Sequence, residues 1–360
     1  MLNKKEIKEK KKYIINRLKC SISDYEEKKL RYTLSVLMEL ELRSDNLKNI
    51  RLYNLTGVLF GNYTFIKDNK KLSSIVKPLG TPFITVLDRE YLEFILKLAY
   101  NTSKVIVNHS NDEFIYEEVE DEDVEETVRN FYNEIGNNDI KDKANKIFND
   151  PTHYGFTDTV SLYKSGSYGV TAYDLVFEKA YISVMRTESL MEYQAFSHEV
   201  MHGIDFYILP TVPNDIYYGF DEVPSYTSDY LFIDYLEERG FNPKQVDLLR
   251  RKKLGYVVDT AHYILDRLDL RLLDGEKIRL DWRLVRDLLE FESCIIAKGL
   301  YDQIKENKEK GLANLVKFMN NPLSRDKTPD FSFIKLPNKE LLKISNNMSL
   351  NNKKINILNN

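Results

Sequence analysis

Apolar residues recur at helical spacing along much of the chain. In Asp24 to Arg43, Leu30, Leu34, Leu37, Met38 and Leu42 fall on one side of a 3.6-residue period, which predicts an amphipathic helix. Lys4 to Cys20 predicts another, more heavily charged one. Leu92, Ile95, Leu96 and Ala99 line one face of a helix from Asp88 to Tyr100, with Asp88 placed as its N-cap. Helical patterning continues through Thr127 to Phe148, Leu254 to Leu273, Leu280 to Glu306 and Gly311 to Met319. Strand patterning is scarce. Tyr181-Ile182-Ser183-Val184-Met185 alternates and is rich in β-branched residues, which predicts a strand. Arg51 to Ile66 mixes β-branched and aromatic residues with Gly57 and Gly61, a pattern of short strands or loop. The expected fold is mainly α with a small β-sheet.

Composition shifts after Asp150-Pro151. The expected organisation is a mostly helical N-terminal region over 1–150, a second region over 151–335 that carries the chemistry, and a flexible Asn- and Lys-rich tail over 336–360. The chain has 360 residues and a formal net charge of -4, which argues against nucleic acid as partner. It contains no run of 18 apolar residues and no signal-peptide core. Cys20 and Cys294 are the two cysteines, too few for a disulfide framework. A cytoplasmic protein without a membrane partner is expected. Ser165 to Gly169 lacks the spacing of a phosphate-binding loop, and the acidic run Glu117 to Glu126 has the pattern of a solvated helix face or loop.

The chemistry concentrates in Phe196-Ser197-His198-Glu199-Val200-Met201-His202-Gly203. Residues four apart on a helix differ by about 40° and about 6 Å along the axis. His198 and His202 therefore project together and can share one metal ion, and imidazole suits zinc. Glu199 is offset, placed to act as general base on a metal-activated water. Met191, Ala195, Phe196, Val200 and Met201 supply an apolar side, and Gly203 leaves room next to the second histidine. A catalytic zinc takes three protein ligands. The candidates downstream are Asp205, Asp215, Asp221, Glu222 and Asp229. Asp205 shares the histidine helix. Glu222 opens a new helix, with Pro224 in its first turn, and Ser225, Tyr226 and Asp229 follow on Glu222's side. His109, His153 and His262 stand alone as core or rim histidines.

Gly219 to Tyr230 resembles the third-ligand motif of the thimet oligopeptidase and oligopeptidase F family of zinc metallopeptidases, with Glu222, Pro224, Ser225 and Asp229 at matching positions. Ala180 to Glu192 resembles that family's edge strand, Gly166 to Tyr173 its Gly-x-Tyr loop, and Ala297 to Met319 its C-terminal helices. The resemblance implies a zincin-like catalytic domain over 151–335 and one zinc ion on His198, His202 and Glu222. It also implies Glu199 as base, Asp229 as the acid that orients a ligand imidazole, and short or unfolded peptides as substrate. Met201 stands where the family has glycine, and Phe291 to Lys298 lacks the family's oxyanion tyrosines. Lys298, Tyr301, Tyr168 and Tyr173 are the substitutes to consider. Two other readings remain: a protease of the lethal factor or Pro-Pro endopeptidase type, and a zinc-binding pseudo-peptidase that acts as a binding protein.

Overall fold

The computed structural model describes residues 4–44, 84–105, 120–157, 168–210, 220–269, 275–320 and 339–348. The expectations for Arg51 to Ile66, His109, Ser165 to Ser167 and Asp215 lie outside them. The fold is mostly helical with a small three-stranded sheet. The chain forms two compact units, each discontinuous in sequence: Met1–Thr81 with Glu118–Glu188 and Ala195–Val212, and Pro82–Glu117 with Ser189–Gln194 and Pro213–Asn360. The composition boundary at Asp150 falls inside the first.

In the first unit, α1 (Lys4–Arg17) and α2 (Asp24–Ser44) pack on each other. Ile7, Ile14, Leu30, Leu34 and Leu37 form a core with Ala172, Ala180, Tyr181 and Phe206. The helical stretch expected from Thr127 to Phe148 is two helices, α4 (Asp121–Glu134) and α5 (Asn138–Phe148). The break falls at Gly136, whose φ of 90° suits glycine, and the Asn137 side chain caps α5 by accepting from Ile140 N–H. The sheet joins β2 (Tyr154–Thr157), β3 (Gly169–Asp174) and β4 (Lys179–Met185) in the order β2-β4-β3. β4 runs parallel to β2 and antiparallel to β3. β4, whose sequence resembles an edge strand, is thus central and paired on both sides; among the described residues the sheet's edges are β2 and β3. Strand addition at β4 is closed because its backbone groups already serve two ladders. The helix α6 (Leu190–Ile208) begins in the second unit and continues in the first.

In the second unit, β1 (Ile84–Asp88) pairs antiparallel with β5 (Lys277–Asp281). Asp88 ends β1, and α3 (Arg89–Thr102) follows it. α3 packs on α8 (Pro243–Arg267), which starts earlier than its apolar pattern shows because Asn242 caps it and Pro243 fills its first turn. The helix that the pattern places from Leu280 begins at Trp282, since Leu280 is paired in a strand with Thr85. That helix, α9 (Trp282–Glu306), packs against α7 (Glu222–Glu238) and α10 (Lys308–Met319). Within the expected tail, 339–348 is helical and buries Leu341 and Met348. No helix among the described residues is long and apolar enough to cross a membrane.

Candidate metal centre

Aromatic packing sets the rotation of α6 in the first unit. The Phe196 ring meets those of Phe156 at 5.1 Å, Tyr154 at 5.3 Å and Phe148 at 6.0 Å. The Tyr132 hydroxyl donates to the Ser197 carbonyl at 2.7 Å. From Phe196 to Phe206 every residue is buried except His198, which is half-buried. With the helix held this way, the His198 and His202 rings lie 4.9 Å apart, as the four-residue spacing requires.

Strand β3 runs along α6, and its alternate residues touch it in order. The Thr171 hydroxyl lies 2.7 Å from Glu199 Oε2 and 2.9 Å from the Glu199 carbonyl oxygen. A Cβ at Gly169 would stand 2.5 Å from Glu199 Cγ and 2.8 Å from Oε1, so only glycine leaves room for this carboxylate. Tyr173 stacks on Phe206 at 4.8 Å, and its hydroxyl lies 3.4 Å from the His202 carbonyl. Positions 169, 171 and 173 share one face because side chains alternate along a strand. Glu199 is 6% exposed. Its Oε2 is held by the Thr171 hydroxyl.

Gly203 serves a different purpose from the one its position suggests. A Cβ there would meet Ile147 Cδ1 at 2.8 Å, then Ile182 and Ala180. The glycine allows α6 to approach α5 and β4 closely; it does not make space for a metal.

In the second unit, Glu222 is the first residue of α7, with Asp221 at the N-cap and Pro224 in the first turn, as the motif requires. α7 and α9 run parallel: Tyr226 meets Glu290, Tyr230 meets Tyr301 and Asp234 meets Lys305. The Tyr226 hydroxyl donates to Glu290 Oε1 at 3.1 Å, and Tyr256 donates to the same oxygen. Burial pushes the Tyr226 hydroxyl well up, and the charges of Glu222 and Glu290 add to this. One turn earlier in the same register, burial opposes the charge on Arg286, but Glu290, Glu222 and Asp221 outweigh it and raise the group. Asp229 Oδ2 accepts from Lys253 Nζ at 2.7 Å, and that ammonium stands 3.3 Å from the centre of the Tyr226 ring.

His198 and His202 lie on α6 in the first unit, and Glu222 opens α7 in the second. Asp205 is buried on α6, seven residues after His198. Two imidazoles and one carboxylate are a donor set that suits a catalytic zinc and leaves a position open. His262 is exposed on α8. Two of the expected oxyanion donors are engaged elsewhere: Tyr301 donates to Asp234 at 2.8 Å, and Lys298 pairs with Asp302. Thr171, Gly169, Lys253, Glu290 and Tyr256 escape sequence reasoning. The signal for the first two was present as the alternation Gly169-x-Thr171-x-Tyr173, and Tyr226 was visible four residues after Glu222.

No family model matches the sequence, and no curated protein matches it. Three solved structures are similar. A protein designated oligoendopeptidase F from Bacillus anthracis strain Ames has 11% identity and a TM-score of 0.47, with 93% of this chain and 78% of that chain covered. A second protein designated oligoendopeptidase F has 12% identity and a TM-score of 0.44, with 89% and 61% covered. PZ peptidase A with inhibitor 2 has 9% identity and a TM-score of 0.47, with 91% and 66% covered. The chain spans less than two thirds of the last two.

Proposed function

We propose that this chain is a zinc-dependent metallopeptidase that hydrolyses short or unfolded peptides. The observation that carries the proposal is the α6–β3 arrangement: two imidazoles 4.9 Å apart, with the Glu199 carboxylate held by Thr171 at 2.7 Å. His198 and His202 would hold the zinc, and Glu222, at the start of α7 with Pro224 in its first turn, is proposed from the motif as third ligand. When bound, zinc supplies Lewis acidity that lowers the pKa of a water and polarises a peptide carbonyl. Glu199 takes a proton from the attacking water on Oε1, while Thr171 keeps Oε2 fixed. It then delivers that proton to the leaving amine. Asp229 is proposed from the motif to orient a ligand imidazole, with its Oδ2 already anchored by Lys253.

One observation favours the second reading, a zinc-binding chain without turnover. Tyr301 and Lys298 are committed to Asp234 and Asp302, and loss of an oxyanion donor costs about 10²–10³ in rate. A single experiment separates the two. The purified chain is assayed for metal, then incubated with a mixed peptide library with and without chelator, beside Glu199→Gln. Stoichiometric zinc with chelator-sensitive cleavage that Glu199→Gln abolishes is the expected result. Zinc without cleavage establishes the pseudo-peptidase, and absence of zinc binding refutes both.

A further inference from the structure

A buried histidine outside the metal motif holds the far end of α6. His153 lies just before β2 and is 4% exposed. Its Nδ1 is 3.0 Å from the Asp150 carbonyl oxygen. A carbonyl only accepts, so Nδ1 carries the proton and Nε2 is an acceptor. Nε2 lies 2.7 Å from the Tyr207 hydroxyl, which therefore donates to it. The Tyr207 oxygen accepts in turn from the Ala180 N–H at 3.0 Å. The strand ladder explains this last bond. Ile182 N–H donates to the His153 carbonyl at 2.6 Å. Two residues earlier on β4, Ala180 N–H faces past the start of β2, and the Tyr207 hydroxyl satisfies it in place of a strand carbonyl.

Tyr207 is on the last turn of α6, five residues beyond His202. Its neighbour Phe206 stacks on Tyr173, whose hydroxyl reaches the His202 carbonyl. We infer that His153 is a positioning residue: neutral, it locks Tyr207 to β4 and so holds the last turns of α6, and with them His202, against the sheet; protonated, it releases them. The functional meaning of this clasp rests on the metallopeptidase proposal, whereas its existence does not.

The charges around the imidazole are accounted for. Asp150 Oδ2 lies 3.5 Å from Nδ1 and is itself bound by Lys179 Nζ at 2.7 Å. Lys146 Nζ stands 3.8 Å from the centre of the Tyr207 ring, and Glu178 acts on Lys146. Asp150 and Asp174 act on Tyr207, whose hydroxyl is pushed up to about 12, chiefly by burial. Burial also pushes His153 below its ordinary value; Asp150 opposes this, and Lys179 and Lys146 reinforce it. A protonated His153 would present Nε2–H to the Tyr207 oxygen, which already accepts from Ala180. The tyrosine proton would then need a new acceptor and the oxygen would have to accept twice, from Nε2–H and from Ala180 N–H, while the charged ring stays buried beside Lys179 and Lys146; that weakens the clasp.

The test uses the full-length chain without zinc. The His153 imidazole is titrated by NMR, and exchange of the amides of residues 203–208 is followed at pH 7.5 and 5, corrected for the intrinsic rate. The expected midpoint for His153 lies below the ordinary value of about 6.5. Protection of those amides should fall by about tenfold or more at the lower pH, the scale of a buried hydrogen bond or two. His153→Gln keeps an acceptor for Tyr207 but does not titrate, so its protection should stay constant. Tyr207→Phe should lose protection at both pH values and weaken zinc binding by about fivefold to tenfold. A midpoint at or above the ordinary value overturns the inference, as does wild-type pH dependence in His153→Gln or wild-type protection in Tyr207→Phe. If wild-type chain binds no zinc, the metallopeptidase proposal falls, and the exchange data still decide the clasp.

Discussion

Gly169→Ala should lower activity by displacing the Glu199 side chain. The added Cβ would lie 2.5 Å from Glu199 Cγ, and ordinary contact begins at 3.4 Å. The difference, 3.4 − 2.5, means that the Glu199 side chain must move by about 0.9 Å. It cannot move freely, because Thr171 holds Oε2 at 2.7 Å and the residue is buried. A misplacement of about 1 Å in a catalytic group can cost about 10²-fold in rate, so kcat should fall by about 10- to 100-fold. Zinc stoichiometry should be unchanged, since the three atoms nearest the new methyl all belong to Glu199. Overpacking should cost about 1–3 kcal/mol of stability. The assay is kcat and KM on a fluorogenic peptide, with metal content and a urea melt on the same sample. Thr171→Val provides a partner: both substitutions act on one carboxylate, so their effects should not add. A Gly169→Ala enzyme with full zinc and kcat within twofold of wild type would show that Glu199 is not confined as described, or is not the base.

Glu222→Ala should lower zinc occupancy strongly while Asp205→Ala leaves it in place, as measured by metal analysis after dialysis; the reverse pattern would make Asp205 the third ligand. Glu292 accepts from Tyr91 at 2.6 Å, and burial, offset in part by that bond, raises its pKa from 4.5 to about 7. Its contribution is fully present below about 4.5 and lost as pH rises through about 7; 2.5 units correspond to about 3 kcal/mol. Urea melts from pH 5 to 8.5 should show this slope in wild type and not in Glu292→Gln, and equal slopes would refute it. Lys253→Met should destabilise by about 3–5 kcal/mol, because it removes the ammonium paired with a buried carboxylate; the side chains are 7% and 4% exposed. Lys253→Met with Asp229→Leu should recover most of that loss in thermal melts, and no recovery would mean that the pair is not what holds α7 to α8.

The helical class and the chemistry of α6 are legible in the sequence because both are local. Spacing alone puts His198 and His202 on one face, and Pro224 with its neighbours announces the helix that Glu222 opens. Elements fail where pairing with distant chain intervenes. Leu280 has a helical pattern but pairs with Thr85, and β4 has the pattern of any strand but becomes the centre of the sheet. Neither choice is encoded within a ten-residue window. The role of Gly203 is hidden from the sequence for the same reason: only the approach of Ile147 and Ile182 shows what its missing side chain accommodates. Thr171 lies 28 residues before Glu199, His153 54 residues before Tyr207, and Asp229 24 residues before Lys253. A single sequence carries the ligands and the base, because catalysis restricts residue type. The groups that hold them are set by tertiary structure, because a hydroxyl, an imidazole or an ammonium at hydrogen-bond distance can come from any part of the chain.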